Sequence, residues 1–121
     1  MAGIDVQPPV LDLSFYAGDG FEFTLNCTDI NGDPIDIVGT FNAQIKLNRT
    51  VDEIVTSFAI NDDGASQGAL ILFLTGEQTQ ELIPLGKSKF SGVWDLQWMP
   101  DDSYPRTIVQ GSVGCTVDVT R

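Results

Sequence analysis

The sequence predicts an all-β protein: an antiparallel β-sandwich of about seven to eight strands (immunoglobulin-like) with one short helix near residues 76–82. Three observations lead there. Apolar and polar residues alternate in segment after segment, the period of a strand with one buried face. Turn signals rich in Gly, Asp and Asn separate these segments at intervals of roughly ten residues. A helix start is read at Thr75-Gly-Glu-Gln78, which has the layout of a capping box and is followed by Leu82 and the limiting Pro84.

Taken in order, residues 1–9 read as an extended arm ahead of a single domain over residues 10–121. Pro8-Pro9 cannot donate to a ladder and favours a stiff path. Val10 to Tyr16 is a first strand with Leu11, Leu13 and Phe15 on one face. The turn Ala17-Gly-Asp-Gly20 leads into a return strand, where Phe21, Phe23, Leu25 and Cys27 alternate with Glu22, Thr24 and Asn26. A dense turn signal, Asp29 to Pro34, precedes a strand carrying Phe41, Ala43, Ile45 and Leu47. Ile54, Thr56, Phe58 and Ile60 continue the period on one further strand.

Ala69-Leu-Ile-Leu-Phe-Leu74 breaks the alternation. An unbroken apolar run of this length predicts a strand covered on both faces, with Leu72 in the core and Ile71 and Phe73 turned toward another chain. The anchor of the core is Phe90-Ser-Gly-Val-Trp-Asp-Leu-Gln-Trp-Met99, where Trp94, Leu96 and Trp98 share a face. Asp95 on the opposite face is expected to form a charge pair with Arg106 of the next strand. That last strand, Thr107 to Thr120, is expected to bulge near Gly111 and to bury Val113, Cys115 and Val117.

Composition narrows function more than it assigns it. Six Lys and Arg against seventeen Asp and Glu give a net charge of −11, which opposes phosphate backbones, so no nucleic-acid partner is expected. No apolar run reaches the ~18 residues of a membrane helix. The first residues lack the basic end and apolar stretch of a signal peptide, so folding in the cytosol is expected. The chain has no histidine, which removes the commonest general base, the usual zinc ligand and the standard partner of a catalytic cysteine.

Other chemistry finds little footing. Asp29, Asn31, Asp33 and Asp36 alternate as calcium ligands would, but the sixth and twelfth positions of such a loop are Pro34 and Thr40 where Gly and Glu are needed. A turn stabilised by Asx side chains is expected instead. Nucleophile-elbow, Ser-x-x-Lys and Gly-rich phosphate motifs are absent, and no spacing selects a carboxylate pair. Cys27 and Cys115 do not stand in the immunoglobulin spacing, because both tryptophans lie far from Cys27; free buried thiols are expected. The expectation is a protein that is not an enzyme and has no catalytic residue, cofactor, metal or small-molecule substrate.

Trp94-Asp-Leu-Gln97, a short polar loop, Arg106-Thr-Ile-Val-Gln-Gly111 and the ending Val117-Asp-Val-Thr-Arg121 occur in that order. With Leu13 to Phe23, Asp33-Pro-Ile-Asp-Ile-Val-Gly39, Ala43-Gln-Ile-Lys46 and Leu74-Thr-Gly-Glu-Gln-Thr79, they make the chain resemble small β-sandwich proteins of tailed bacteriophages. These are related to the long-tail-fibre-type β-sandwich family, and the chain is also similar to the amino-terminal attachment domain of baseplate upper proteins. The resemblance implies a structural protein of the virion, present in several copies and working by contact with other phage structural proteins. It supplies no functional residues to carry over. A tail, baseplate or fibre adaptor is the first expectation and a capsid or neck decoration protein the second. A carbohydrate-binding sandwich using Tyr16 and Tyr104 is the third. Candidate assembly contacts are Ile4, Val6, Pro8 and Pro9 of the arm, with Ile71 and Phe73.

Overall fold

The computed structural model describes residues 9–100 and 104–117. Eight strands are found there: β1 (Leu13–Tyr16), β2 (Phe21–Asn26), β3 (Gly39–Lys46), β4 (Thr56–Ser57), β5 (Ala59–Asn61), β6 (Ala69–Leu74), β7 (Lys89–Pro100) and β8 (Arg106–Thr116). They form a five-stranded sheet in the order β1-β8-β7-β3-β4 and a three-stranded sheet in the order β2-β6-β5. All pairings are antiparallel except β1 with β8. This is the order of a variable-type immunoglobulin sandwich with one strand fewer beyond β4. The predicted all-β sandwich is therefore the fold, and its short helix α1 (Gly76–Leu82) has the predicted bounds.

The core lies between the sheets. Ala43, Ile45, Trp94, Leu96, Val109, Val113 and Cys115 face it from one side, and Leu70, Leu72 and Leu74 from the other. Phe21, Phe23, Leu25, Phe41 and Trp98 are half-buried and pack against its rim. An immunoglobulin domain joins its B and F strands by a disulfide. Here the corresponding strands, β2 and β7, are joined by Phe23 against Trp94, edge to face at 5.7 Å, with Phe58 tilted onto the same indole at 5.5 Å.

Several expectations need correcting. The turn after Tyr16 does not close a hairpin: β1 lies in the five-stranded sheet and β2 in the three-stranded one, so the chain changes sheets there. Residues 54–60 are likewise two strands. β4 pairs with β3 and β5 with β6, and Phe58 is buried at the crossing. Period-2 alternation runs on through such a crossing because both sheets turn the same side chains inward, so pattern alone cannot detect it. The first strand begins at Leu13, with Val10 making only an isolated bridge to Gln110.

The bulge falls three residues before Gly111. Leu96 faces Val109 and Gln97 faces Thr107, leaving Ile108 as the extra residue of β8. Among the described residues the outer face of β6 is not covered, since its burial alternates and Phe73 is 36 % exposed. Val117 is 41 % exposed because β8 ends at Thr116, beyond the edge of the core. Asp95 stands opposite Gln110, and Arg106 stands opposite Trp98, so the expected charge pair does not form.

The two ends of the sandwich differ. At one end α1 closes the core with buried Thr79 and Leu82. Thr79 Oγ1 accepts the Gly18 N–H at 3.0 Å and donates to the Asp19 carbonyl at 2.9 Å, tying the helix to the turn between β1 and β2. The Cys115 thiol donates to the Thr79 carbonyl at 3.5 Å, which adds β8 to the junction. At the other end, among the described residues, no helix covers the core and a groove lies there.

Candidate functional site

The groove is about 600 Å³ in volume, the size of a small-ligand or short-segment site. Its apolar wall is Leu25, Ile35, Ile37, Ile108 and Val109. Pro9, Cys27, Trp98 and Arg106 stand around this wall, with Asn26, Thr28 and Thr107 as polar neighbours. Each part has a local cause. Asp29 Oδ1 accepts the N–H groups of Asn31 and Asp33 at 2.9 and 3.0 Å, forming the expected Asx-stabilised turn. That turn brings the chain back so that the Ile35 N–H donates to the Cys27 carbonyl at 3.0 Å, beside the end of β2. Gly68 is required below them: its φ is +77°, and a Cβ there would run into the Cys27 carbonyl oxygen.

On the opposite wall, the Arg106 guanidinium lies over the Trp98 ring, 5.8 Å from its centroid. Among the described residues no carboxylate forms an ion pair with this cation. Burial pushes the Cys27 thiol above its ordinary range, and the same holds for Cys115. Both are therefore neutral thiols near pH 7 and poor nucleophiles. Both are also free: the Cys27 N–H donates to the Gly68 carbonyl at the groove end, while Cys115 touches α1 at the other.

The N-terminal side of the groove is built by an unusual close approach. Pro9 to Asp12 runs parallel to β8, with the Gln110 N–H donating to the Pro9 carbonyl at 3.1 Å and the Leu11 N–H to the Gln110 carbonyl at 2.8 Å. The Leu11 carbonyl sits over Gly111, where a Cβ would collide with it, and accepts the Trp94 indole N–H at 2.8 Å. Asp12 takes the Ser112 N–H at 2.9 Å, and hydrogen bonds from the Ser112 backbone and side chain hold its carboxyl below the usual carboxylate range.

A second, smaller concavity of about 110 Å³ lies on the outer face of the five-stranded sheet, lined by Gln44, Lys46, Arg49, Val93, Trp94 and Asp95. Arg49 Nη1 donates to Gln110 Oε1 at 2.9 Å. A single carboxylate between amides and cations offers no nucleophile–base arrangement. Among the described residues no group of three His, Cys, Asp or Glu could hold a metal ion, and no helix is long and apolar enough to cross a membrane.

Among the described residues the sequence-predicted contacts Pro9, Ile71 and Phe73 do not converge. Ile71 and Phe73 lie on the outer face of the three-stranded sheet, where Thr24 and Asn61 flank Ile71 and Glu22 and Ala59 flank Phe73. Pro9 lines the groove, while Ile4, Val6 and Pro8 lie outside the described residues. Tyr16, paired with Thr116, and Tyr104, just ahead of Arg106, are both exposed but stand at opposite ends of β8, so they form no common sugar platform. Sequence reasoning misses the groove, because Ile35 and Ile37 belong to an irregular segment and Ile108 is the bulged residue of β8. The one legible signal is Trp98 and Arg106 flanking a short loop between adjacent strands.

No family model matches the chain, and no curated protein matches it. Among solved structures, Tim-1 is similar over 93 % of this chain and 97 % of its own, at 9 % identity and a TM-score of 0.49. A 2,6-sialyltransferase from Vibrionaceae Photobacterium sp. JT-ISH-224, solved with donor product CMP and acceptor substrate lactose, is similar over 91 % of this chain, at 5 % identity and a TM-score of 0.35. The chain spans 18 % of the length of that enzyme. Neither likeness bears on what this chain binds, and the sandwich assignment rests on its own strand order and register.

Proposed function

We propose that this protein is a non-enzymatic structural component of a tailed-bacteriophage particle, an adaptor of the tail, baseplate or fibre that works through protein–protein contacts. The observation that carries the reading is the unpaired edge of the three-stranded sheet. β2 is a regular six-residue strand with β6 on one side and, among the described residues, no strand on the other. Such an edge presents free backbone donors and acceptors to a neighbouring chain. Exposed Phe73 and half-buried Ile71 on the adjoining outer face add apolar surface to it. The resemblance to phage β-sandwich proteins supplies the setting, and a net charge of −11 suits protein partners with basic patches better than nucleic acid.

Under this reading the protein is made in the host cytoplasm and ends in the virion in several symmetric copies. A cryo-EM map of purified particles is expected to show sandwich-shaped density at the tail or baseplate. Density on the capsid or neck would make it a decoration protein, and its absence from purified particles would overturn the proposal.

A further inference from the structure

We propose that the groove at the open end of the sandwich is an arm-exchange site, which receives residues 3–7 of a second copy of this chain. The proposal rests on the reading of the protein as a multi-copy assembly component. Three features of the groove define its occupant. Its wall is apolar, so side chains entering it must be apolar at alternate positions of an extended segment. Its rim carries Arg106, held over Trp98 and without a carboxylate partner among the described residues, which calls for an acidic side chain in the occupant. Its β8 wall is an open ladder edge: the chain's own N-terminal segment joins β8 only from Pro9 onward, leaving Arg106–Val109 unpaired on that side among the described residues.

The chain does not readily close this edge itself. Continuing the parallel ladder from Val10 toward Ile108 requires an N–H from residue 9, and that residue is proline. Ile108 is also the bulged residue of β8, which breaks the register at the same rung. A strand arriving from outside is not bound to that register.

The sequence itself contains a segment of the required chemistry: Gly3-Ile-Asp-Val-Gln7 has a complete set of backbone N–H groups, with Ile4 and Val6 alternating around Asp5. Because Pro9 stands on the rim of its own groove, two copies meeting rim to rim about a two-fold axis can each pass this segment to the other. Eight extended residues reach about 26–29 Å, enough to cross such a junction.

Cys27 lines the groove, and Cys115 at the other end of the molecule is fully buried, so alkylation of Cys27 reads occupancy with an internal control. The test measures iodoacetamide labelling of the full chain across a range of concentrations, alongside mass from analytical ultracentrifugation. The expected result is a dimer whose formation slows Cys27 labelling at least tenfold. Asp5→Arg or Arg106→Glu alone should dissociate it and restore fast labelling, and the double variant Asp5→Arg/Arg106→Glu should re-form it. Cys27 protection that is independent of concentration would place the chain's own arm in the groove and overturn the exchange. So would a dimer insensitive to both charge reversals, or a monomer at every concentration. The adaptor reading is decided separately, by the particle map.

Discussion

Trp94 shows how much one residue can organise in a protein of this size. Its indole is 1 % exposed, it meets Phe23 and Phe58 across the core, and its N–H is satisfied by the Leu11 carbonyl. That carbonyl occupies the space a side chain at Gly111 would need, so the pairing of Trp94 with Leu11 and the glycine are one device. Trp94→Ala is expected to cost about 3–5 kcal/mol in urea denaturation, the range for emptying a large aromatic site in a core. Trp94→Phe should cost less, though it leaves the Leu11 carbonyl without its donor. Asp12 acts one residue further along. Its carboxyl is held below the ordinary range by Ser112, so its contribution is present above the unfolded-state pKa and is lost as pH falls through the lower folded value. Urea midpoints of wild type and Asp12→Asn should therefore differ at pH 7, with wild type more stable, and converge in the acid range below pH 4.

At the scale of elements, α1 shows why part of this fold is legible in the amino-acid sequence. The seven-residue helix is too short to stand alone, and it begins with a complete capping box: the Gln78 N–H donates to Thr75 Oγ1 at 3.1 Å and the Thr75 N–H to Gln78 Oε1 at 2.9 Å. Gln78 Nε2 also donates to the Ser57 carbonyl at 2.9 Å, fastening the helix to β4. Thr75→Ala should cost about 1 kcal/mol in thermal or chemical denaturation, while Thr79→Val, which removes the buried hydroxyl that bonds the half-buried Gly18 N–H and Asp19 carbonyl, should cost more because two hydrogen bonds are lost at once. Capping chemistry and alternation are local, so Thr75, Gln78 and the inward residues of β2, β3 and β7 can be read from the chain. Sheet membership is not local. Nothing in Ala17 to Gly20 or around Phe58 states that the chain is passing between sheets, and the apolar run of β6 does not say whether its second face is covered. The groove depends on an irregular segment and a strand bulge meeting at one end, and only the three-dimensional arrangement of Ile35, Ile37 and Ile108 reveals that.

Over the described residues the molecule is a sandwich capped by α1 at one end and grooved at the other, and its two thiols mark the difference. Cys115 is completely buried beneath α1, so a reagent reaches it only when the domain opens; Cys27 is half-buried at the groove, where local motion suffices. Standing at opposite ends of the structure, they are not placed to meet the Cα separation of a disulfide, under about 7 Å. Protein alkylated after unfolding without reductant should therefore carry two labels by mass spectrometry. In the native state the rates should separate, with Cys27 labelled first and Cys115 following the population of the open form. That population rises about tenfold for every 1.4 kcal/mol of lost stability when opening is fast relative to labelling. A Trp94→Ala cost of about 3–5 kcal/mol then predicts Cys115 labelling faster by about two to three and a half orders of magnitude, with a much smaller effect on Cys27. Equal acceleration of both thiols would mean that the groove end and the helix-capped end open together as one cooperative unit. A change confined to Cys27 would mean that Trp94 stabilises the open end without controlling global unfolding.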